Sequence, residues 1–260
     1  AGDDTRGFAP PYVKDDNGNE TDLSAYYCGT NRNKRSITIN LSEKEGQDII
    51  RKLLKNSDIL VENFKTGTLA KYGLSYDDLK NEFPRLIFCS ITGFGQTGPY
   101  ASRPGYDGLI QAMGGVMALT GEPNGEQMKV GVPIGDLMAG MFASVGVLAA
   151  VRHQTETGKG QFIDIGMLDT HVAWLANQGM NYLSTDENPE RLGNQHPNIV
   201  PYQVMPTSDG YIVLSIGNDP TFERFCELAG ETKLLEDDRF KTNASRVSNR
   251  EHVTKVLNGV

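Results

Sequence analysis

At 260 residues, 38% hydrophobic and 22% charged, the chain has the composition of a soluble globular protein with one large core or two modest ones. A net charge of −8 excludes a general nucleic-acid binder, which needs a basic surface to neutralise phosphates. Cys28, Cys89 and Cys226 are far apart and form no CxxC pair, so they supply neither a disulfide framework nor a zinc site, as expected in a reducing compartment.

Residues 1–35, rich in Gly, Pro, Asn and Asp, predict loop. The basic cluster Arg32-Asn33-Lys34-Arg35 predicts a solvated turn, with phosphate binding as the alternative. Arg6, Lys65, Lys71 and Arg103 are further cations that could join it. Ser36–Leu41 alternates like a strand, and Ser42-Glu43-Lys44-Glu45 has the form of a capping box before a helical stripe of Ile49, Ile50, Leu53 and Leu54. Asp58–Glu62 and Leu86–Ile91 predict two more strands, with helical segments between them. Gly93-Phe94-Gly95-Gln96-Thr97-Gly98 is a literal G-x-G-x-x-G. The Pro99 and Pro104 that follow leave no helix to receive a pyrophosphate, so a glycine turn near a ligand is preferred over a dinucleotide site.

A helix is expected from Tyr106 to about Leu119, then an exposed loop over Thr120–Lys129. Leu137–Val151 is apolar but too short for a comfortable membrane span. It predicts a buried helix, which Asp136 could cap. Gln161–Ile165 predicts a strand running directly into Met167-Leu168-Asp169-Thr170 and a helix to about Leu183. Residues 184–193 predict a linker, and Tyr211–Ile216 a strand of a second unit followed by helices. The alternation predicts an α/β fold, with a Rossmann-like parallel sheet flanked by helices over 1–186. The start of a smaller α+β domain is expected over 187–260.

His153, His171, His196 and His252 show no ligand spacing, and no P-loop, G-x-S-x-G or H-E-x-x-H occurs. Asp136 and Asp169 each stand at a predicted helix start. Capping is the plain explanation, and an anion stabilised by the helix dipole for nucleophilic attack is the functional one.

Several ordered strings resemble the class III coenzyme A transferases: Gly2-Asp3-Asp4-Thr5-Arg6, Asn31 to Ser36, Val61-Glu62-Asn63-Phe64, Ser90 to Pro99, Gly105-Tyr106-Asp107, Gly135-Asp136, Thr157 to Gln161, and Met167-Leu168-Asp169. The resemblance implies CoA transfer with Asp169 as the nucleophile, through an aspartyl anhydride and an aspartyl-CoA thioester. It implies CoA contacts at Arg6, Arg32, Arg35, Asn63, Phe64, Lys71 and Tyr106, and a loop of Gly193, Asn194 and His196 over the site. It implies acyl-CoA and a small carboxylic acid as substrates, no metal or tightly bound cofactor, and an interlocked homodimer. No nucleic-acid or membrane partner is expected, and the location implied is the cytoplasm, or the mitochondrial matrix in a eukaryote.

Tyr106 stands where α-methylacyl-CoA racemases, the nearest rival, carry histidine; a non-catalytic acyl-CoA-binding piece is the other alternative. Strings around Ile199–Gln203, Ser208–Val213, Phe240–Asn243, Arg246-Val247 and Asn249-Arg250 resemble the branch that uses succinyl-CoA with dicarboxylates. Arg103 or His196 could pair with a second substrate carboxylate. Relatives begin with a further strand and return C-terminally to the large domain, so the sequence is expected to be a piece of a longer chain.

Overall fold

The computed structural model describes residues 2–260. The first segment is not plain loop. It holds a 3-10 turn over Asp4–Gly7, an antiparallel hairpin of β1 (Tyr12–Lys14) and β2 (Glu20–Ser24), and helix α1 (Ala25–Thr30). Single polar side chains set these elements, which is why apolar periodicity did not reveal them. Asp3 accepts from the Thr5 N–H at 2.9 Å, and Ser24 caps α1 by accepting from the Tyr27 N–H at 2.9 Å.

Ser36–Leu41 is irregular rather than a strand. It has no pairing partner, and Ile37 stays exposed. The segment lies instead against α2 (Lys44–Leu54), where a Cβ on Gly46 would stand 1.9 Å from the Asn40 carbonyl oxygen. The capping box also fails: α2 starts after Glu43 without a side-chain cap, because Ser42 turns back to Asn40 Oδ1.

The central sheet follows the sequence closely. Strands β3 (Ile59–Glu62), β4 (Ile87–Thr92) and β5 (Phe162–Gly166) are parallel in the order β3-β4-β5, in register Leu60 with Phe88 and Phe88 with Phe162. The short helix α3 (Tyr76–Leu79) lies on the path from β3 to β4. On one face Leu60 and Phe88 pack with Leu54, Leu74, Leu79 and Leu86. On the other, Ile91 and Ile165 join Ile110, Ala139 and Met167.

The expected helix 106–119 divides into α4 (Asp107–Met113) and α5 (Val116–Leu119). The break follows from Gly114 and Gly115. A Cβ on Gly114 would lie 2.4 Å from the His171 ring, and Gly115 has φ +90°. Gly114→Ala is therefore expected to cost about 1–3 kcal/mol by overpacking, read from urea unfolding.

Helix α6 (Ile134–Thr157) is longer than predicted and buries only one side. Ala139, Ala143 and Ala150 face the interior, and Gly146 sits against Ile163. Leu137, Met141, Phe142, Val145 and Leu148 are exposed, which corrects the expectation of a buried helix. Small residues line the packed side because helix and sheet backbones approach closely there, leaving the large side chains on the outer side. Its length and apolar composition would suffice to cross a membrane.

The helix after β5 also divides, into α7 (Met167–Ala173) and α8 (Ala176–Thr185), at Ala176 with φ +47°. The linker starts later than predicted, since Ser184 and Thr185 belong to α8. It is also fastened: Arg191 donates to the carbonyls of Ala118, Glu122 and Gly125. Beyond it, β6 (Tyr202–Pro206) and β7 (Tyr211–Ser215) form an antiparallel pair, followed by α9 (Asp219–Ala229), α10 (Asn243–Ser248) and α11 (Arg250–Leu257). They enclose a core of Val200, Met205, Ile216, Phe222, Cys226, Phe240, Val253 and Leu257.

Candidate active site

Ligands of open parallel sheets sit beyond the carboxyl ends of the strands. That edge gathers Asn63, Phe64, the glycine turn and Asp169. Asn63 and Phe64 follow β3, the glycine turn 93–98 follows β4, and Asp169 follows β5. Asn63 Nδ2 donates to the Ile91 carbonyl at 2.6 Å, and Glu62 Oε2 accepts from the Phe64 N–H at 2.8 Å. Phe64 leaves its ring exposed. A cavity of about 320 Å³ opens beside them, lined by Glu62, Lys65, Tyr76, Ser90, Gln96 and Phe162.

No helix opens behind Gly98, so the glycine turn is not a dinucleotide loop. At Gly93 its backbone is packed too closely for a side chain. A Cβ on Gly93 would meet Gly105 at 2.5 Å, and Gly95 takes φ +79° beside the Asp164 carboxylate. The Gly93 carbonyl accepts from the Leu168 N–H at 3.0 Å, which joins the turn to the start of α7.

Asp169 occupies the third position of α7 after Gly166 and is exposed. Its carboxylate folds back over the helix start, with Oδ2 only 2.6 Å from where a Cβ on Gly166 would stand. That same point is 3.1 Å from the Gly95 nitrogen, so carboxylate and glycine turn border one small space. Glycine at 166 keeps that space open.

Asp136 occupies the third position of α6 and is not its cap, since Pro133 holds that place. The neighbouring Gly135 N–H is taken by Asp107 Oδ1 at 2.8 Å, and Asp107 Oδ2 accepts from Gln111 Nε2 at 2.8 Å. Asp136 is exposed at its surface, yet partial loss of solvent, and secondarily the Asp107 charge, raise its pKa above the usual carboxylate value. Tyr106 immediately precedes Asp107 at the start of α4 and is widely exposed.

Among the remaining expected residues, Arg6 packs over the Tyr27 ring at 4.0 Å and donates to its hydroxyl at 2.7 Å. Arg32 and Arg35 lie in the segment after α1, where Asn33 has φ +62°. Lys71 is exposed in a 3-10 turn, Leu69–Tyr72. Arg103 lies over the Tyr100 ring at 4.3 Å.

The loop at Gly193, Asn194 and His196 makes its contacts with Gly121, Tyr202 and Asn198. Gly193 N–H donates to the Gly121 carbonyl, and the His196 ring stacks on Tyr202 at 5.2 Å with Nδ1 accepting from the Asn198 N–H. Burial and the Arg250 charge lower the His196 pKa. None of these contacts among the described residues reaches Asp169.

Sequence reasoning missed His171, which is fully buried on α7 with both ring nitrogens lacking a hydrogen-bond partner. Burial lowers its pKa while the Asp107 charge opposes that shift. It gave no role to Ser90, Gln96 or Asp164, although Ser90 and Gln96 lie in the Ser90 to Pro99 string; the signal at Asp164 was polarity inside an otherwise apolar strand. Among the described residues no cluster of His, Cys, Asp or Glu could hold a metal ion.

The pattern of CoA-transferase family III matches residues 1–260. The chain is 48% identical over 256 residues to the succinate–glutarate CoA-transferase of Agrobacterium fabrum, covering 98% of this chain and 64% of that protein. It is 42% identical over 257 residues to the human succinyl-CoA:glutarate CoA-transferase, covering 99% and 57%. The chain thus spans less than two thirds of the length of these curated relatives. The crystal structure of a CAIB/BAIF family protein from Brucella suis superposes with a TM-score of 0.80 at 47% identity, over 99% of this chain and 68% of that one. A parallel sheet flanked by helices, a polar carboxyl edge and a whole-chain match at this identity leave one assignment: the chain belongs to CoA-transferase family III.

Proposed function

We propose that the protein moves CoA from an acyl-CoA, with succinyl-CoA as the donor, to a dicarboxylic acid, and that Asp169 is the nucleophile. Family membership and the substrates named in its relatives support the reaction. The observation that carries the choice of residue is the exposed Asp169 carboxylate at the carboxyl edge of the sheet, bordering the glycine turn through the space over Gly166. A substrate carbonyl can approach it there, and backbone N–H groups of a glycine turn are the donors that developing negative charge requires.

A carboxylate oxygen attacks the thioester carbonyl, giving an aspartyl–acyl anhydride and CoA thiolate. The thiolate attacks the aspartyl carbonyl, forms the aspartyl-CoA thioester and releases the donor acid. The acceptor carboxylate then displaces the thiolate to form a second anhydride. Thiolate attack on its acceptor carbonyl yields the new acyl-CoA and the free aspartate.

Asn63, Phe64 and Tyr106 are proposed to line the CoA site, with Arg6, Arg32, Arg35 and Lys71 reaching its phosphates. The exposed apolar side of α6 supports a homodimer, in which a second copy covers Leu137, Met141, Val145 and Leu148. A division into a CoA-binding domain over 1–186 and a smaller one from 187, in a cytoplasmic protein, goes with this reading.

Trapping tests the covalent step. Protein incubated with succinyl-CoA and hydroxylamine is expected to carry a hydroxamate on Asp169, located by peptide mass spectrometry. A hydroxamate on Asp136 instead would move the nucleophile to α6, and its absence from both overturns the covalent reading.

A further inference from the structure

We propose that Glu62 is a positioning residue that locks the Asn63–Phe64 segment and the glycine turn into one fixed relation, acting through Ser90 and Gln96. The inference rests on the CoA-transferase reading for what the two segments contact. Its geometry stands independently. Glu62, Ser90 and Asp164 are register neighbours on one face of β3, β4 and β5.

The two oxygens of Glu62 serve different segments. Oε2 accepts from the Phe64 N–H at 2.8 Å, and Oε1 accepts from the Ser90 hydroxyl. Ser90, 1% exposed, in turn accepts from Gln96 Nε2 at 2.8 Å. The Gln96 backbone N–H is held by Asp164 Oδ2 at 2.9 Å. Among the described residues neither Glu62 nor Asp164 takes part in an ion pair, so both carboxylates are engaged by hydrogen-bond donors alone.

The turn needs such a clamp. Gly93, Gly95 and Gly98 give it little conformational preference of its own, and Gly95 and Gly98 sit at φ +79° and +89°. A flexible turn beside a reacting group loses rate steeply when it shifts by an ångström. Gln96 fixes the turn at two atoms, and Glu62 refers that position to the strand end carrying Phe64. The same chain of hydrogen bonds forms one wall of the 320 Å³ cavity.

Hydrogen exchange and kinetics on Ser90→Ala, Gln96→Ala, the double variant and Gln96→Glu test the proposal. Each alanine variant is expected to speed amide exchange over residues 93–98 about tenfold. Each should lower kcat about tenfold, with KM for acyl-CoA changed less than about threefold. The double variant should be no worse than the worse single one, because both break the same chain. Gln96→Glu keeps the shape but brings a third carboxylate towards Glu62 and Asp164, so it should lose more than Gln96→Ala. Glu62→Ala frees both segments and should raise KM as well as lower kcat.

Unchanged exchange, losses that multiply in the double variant, or a Gln96→Glu protein milder than Gln96→Ala would each overturn the clamp. If the unmutated protein transfers no CoA, the transferase reading falls, while the exchange measurement still decides the clamp.

Discussion

Asp169→Asn is expected to reduce CoA transfer by about three orders of magnitude or more, since it removes the nucleophile itself. The amide keeps the shape of the side chain over Gly166, so the fold and acyl-CoA binding should survive. Steady-state kinetics with binding measured separately reads both. Asp169→Glu should also lose activity steeply, because one added methylene displaces a positioned group in a space as small as the one between Gly166 and Gly95. A variant of Asp169 that keeps more than about a hundredth of the original turnover would sink the nucleophile assignment.

Asp136→Asn gives the contrasting result. It is expected to cost transfer less than about tenfold and to melt no lower than the original. Folding raises the Asp136 pKa, so at neutral pH its ionisation weighs against the folded state, and the neutral amide relieves that cost. The sign sets the window: the advantage of the amide should be present at neutral pH and vanish as pH falls through the ordinary carboxylate range, where both states are protonated. Melting curves at pH 7 and pH 3 measure it. A thousandfold loss of transfer in Asp136→Asn with Asp169→Asn active would reverse the two roles.

Arg246→Ala is expected to destabilise the second unit by about 3–5 kcal/mol. The Arg246 side chain is fully buried. Nε donates to the Val200 carbonyl and one terminal nitrogen to the Phe240 carbonyl, both at 2.7 Å. The other meets Asp219 Oδ1 at 2.8 Å. The guanidinium also lies over the Phe222 ring at 4.3 Å. Truncation therefore strands two carbonyls and leaves a cavity in the core that Phe222 and Phe240 line, while Asp219, partly exposed, keeps its bond from the Asn243 N–H. Arg246→Lys should recover less than half of the loss, because an ammonium cannot reproduce the planar fork that meets all three acceptors. Chemical denaturation followed by circular dichroism measures both. A cost below about 1 kcal/mol would mean that the core closes without the guanidinium.

Phe240 and Arg246 belonged to the strings that resembled the dicarboxylate-handling branch, and both lie in the core of the second unit, so those strings carry the likeness through packing residues. What was legible was the parallel sheet: apolar runs over Ile59–Glu62, Ile87–Thr92 and Phe162–Gly166 carry a strong local signal, and their alternation with helices fixes their direction. The hairpin and α1 were illegible because a few polar contacts define their surroundings: Asp3 accepts from the Thr5 N–H and Asn31 Nδ2, and Ser24 accepts from the Tyr27 N–H and donates to the Thr5 carbonyl. The break at Gly114 was illegible because packing against the His171 ring, not propensity, imposes it.

At the site, glycine and aspartate positions were visible, but their environments were not. Asp136 and Asp169 look alike in sequence. Only the three-dimensional setting separates a carboxyl beside Asp107 from one folded over Gly166 towards the glycine turn. The change along one sheet face, from apolar at Leu60, Phe88 and Phe162 to polar at the carboxyl end, was likewise hidden until the register put Glu62, Ser90 and Asp164 in line.

The pairing of β4 with β5 bears on how the chain reaches this state. Phe88 meets Phe162 only after the whole stretch through α6 has been brought round, so closing the central sheet carries a large loop-closure cost. The hairpin and α2 are local and can form within microseconds, while β5 must wait for a slower search. During that wait the Ala139, Ala143 and Ala150 side of α6 stands uncovered in addition to the side that stays exposed in the folded chain, and collisions between nascent chains compete with closure. The yield of native chain is thus governed by crowding among its own copies as much as by the stability of the finished fold.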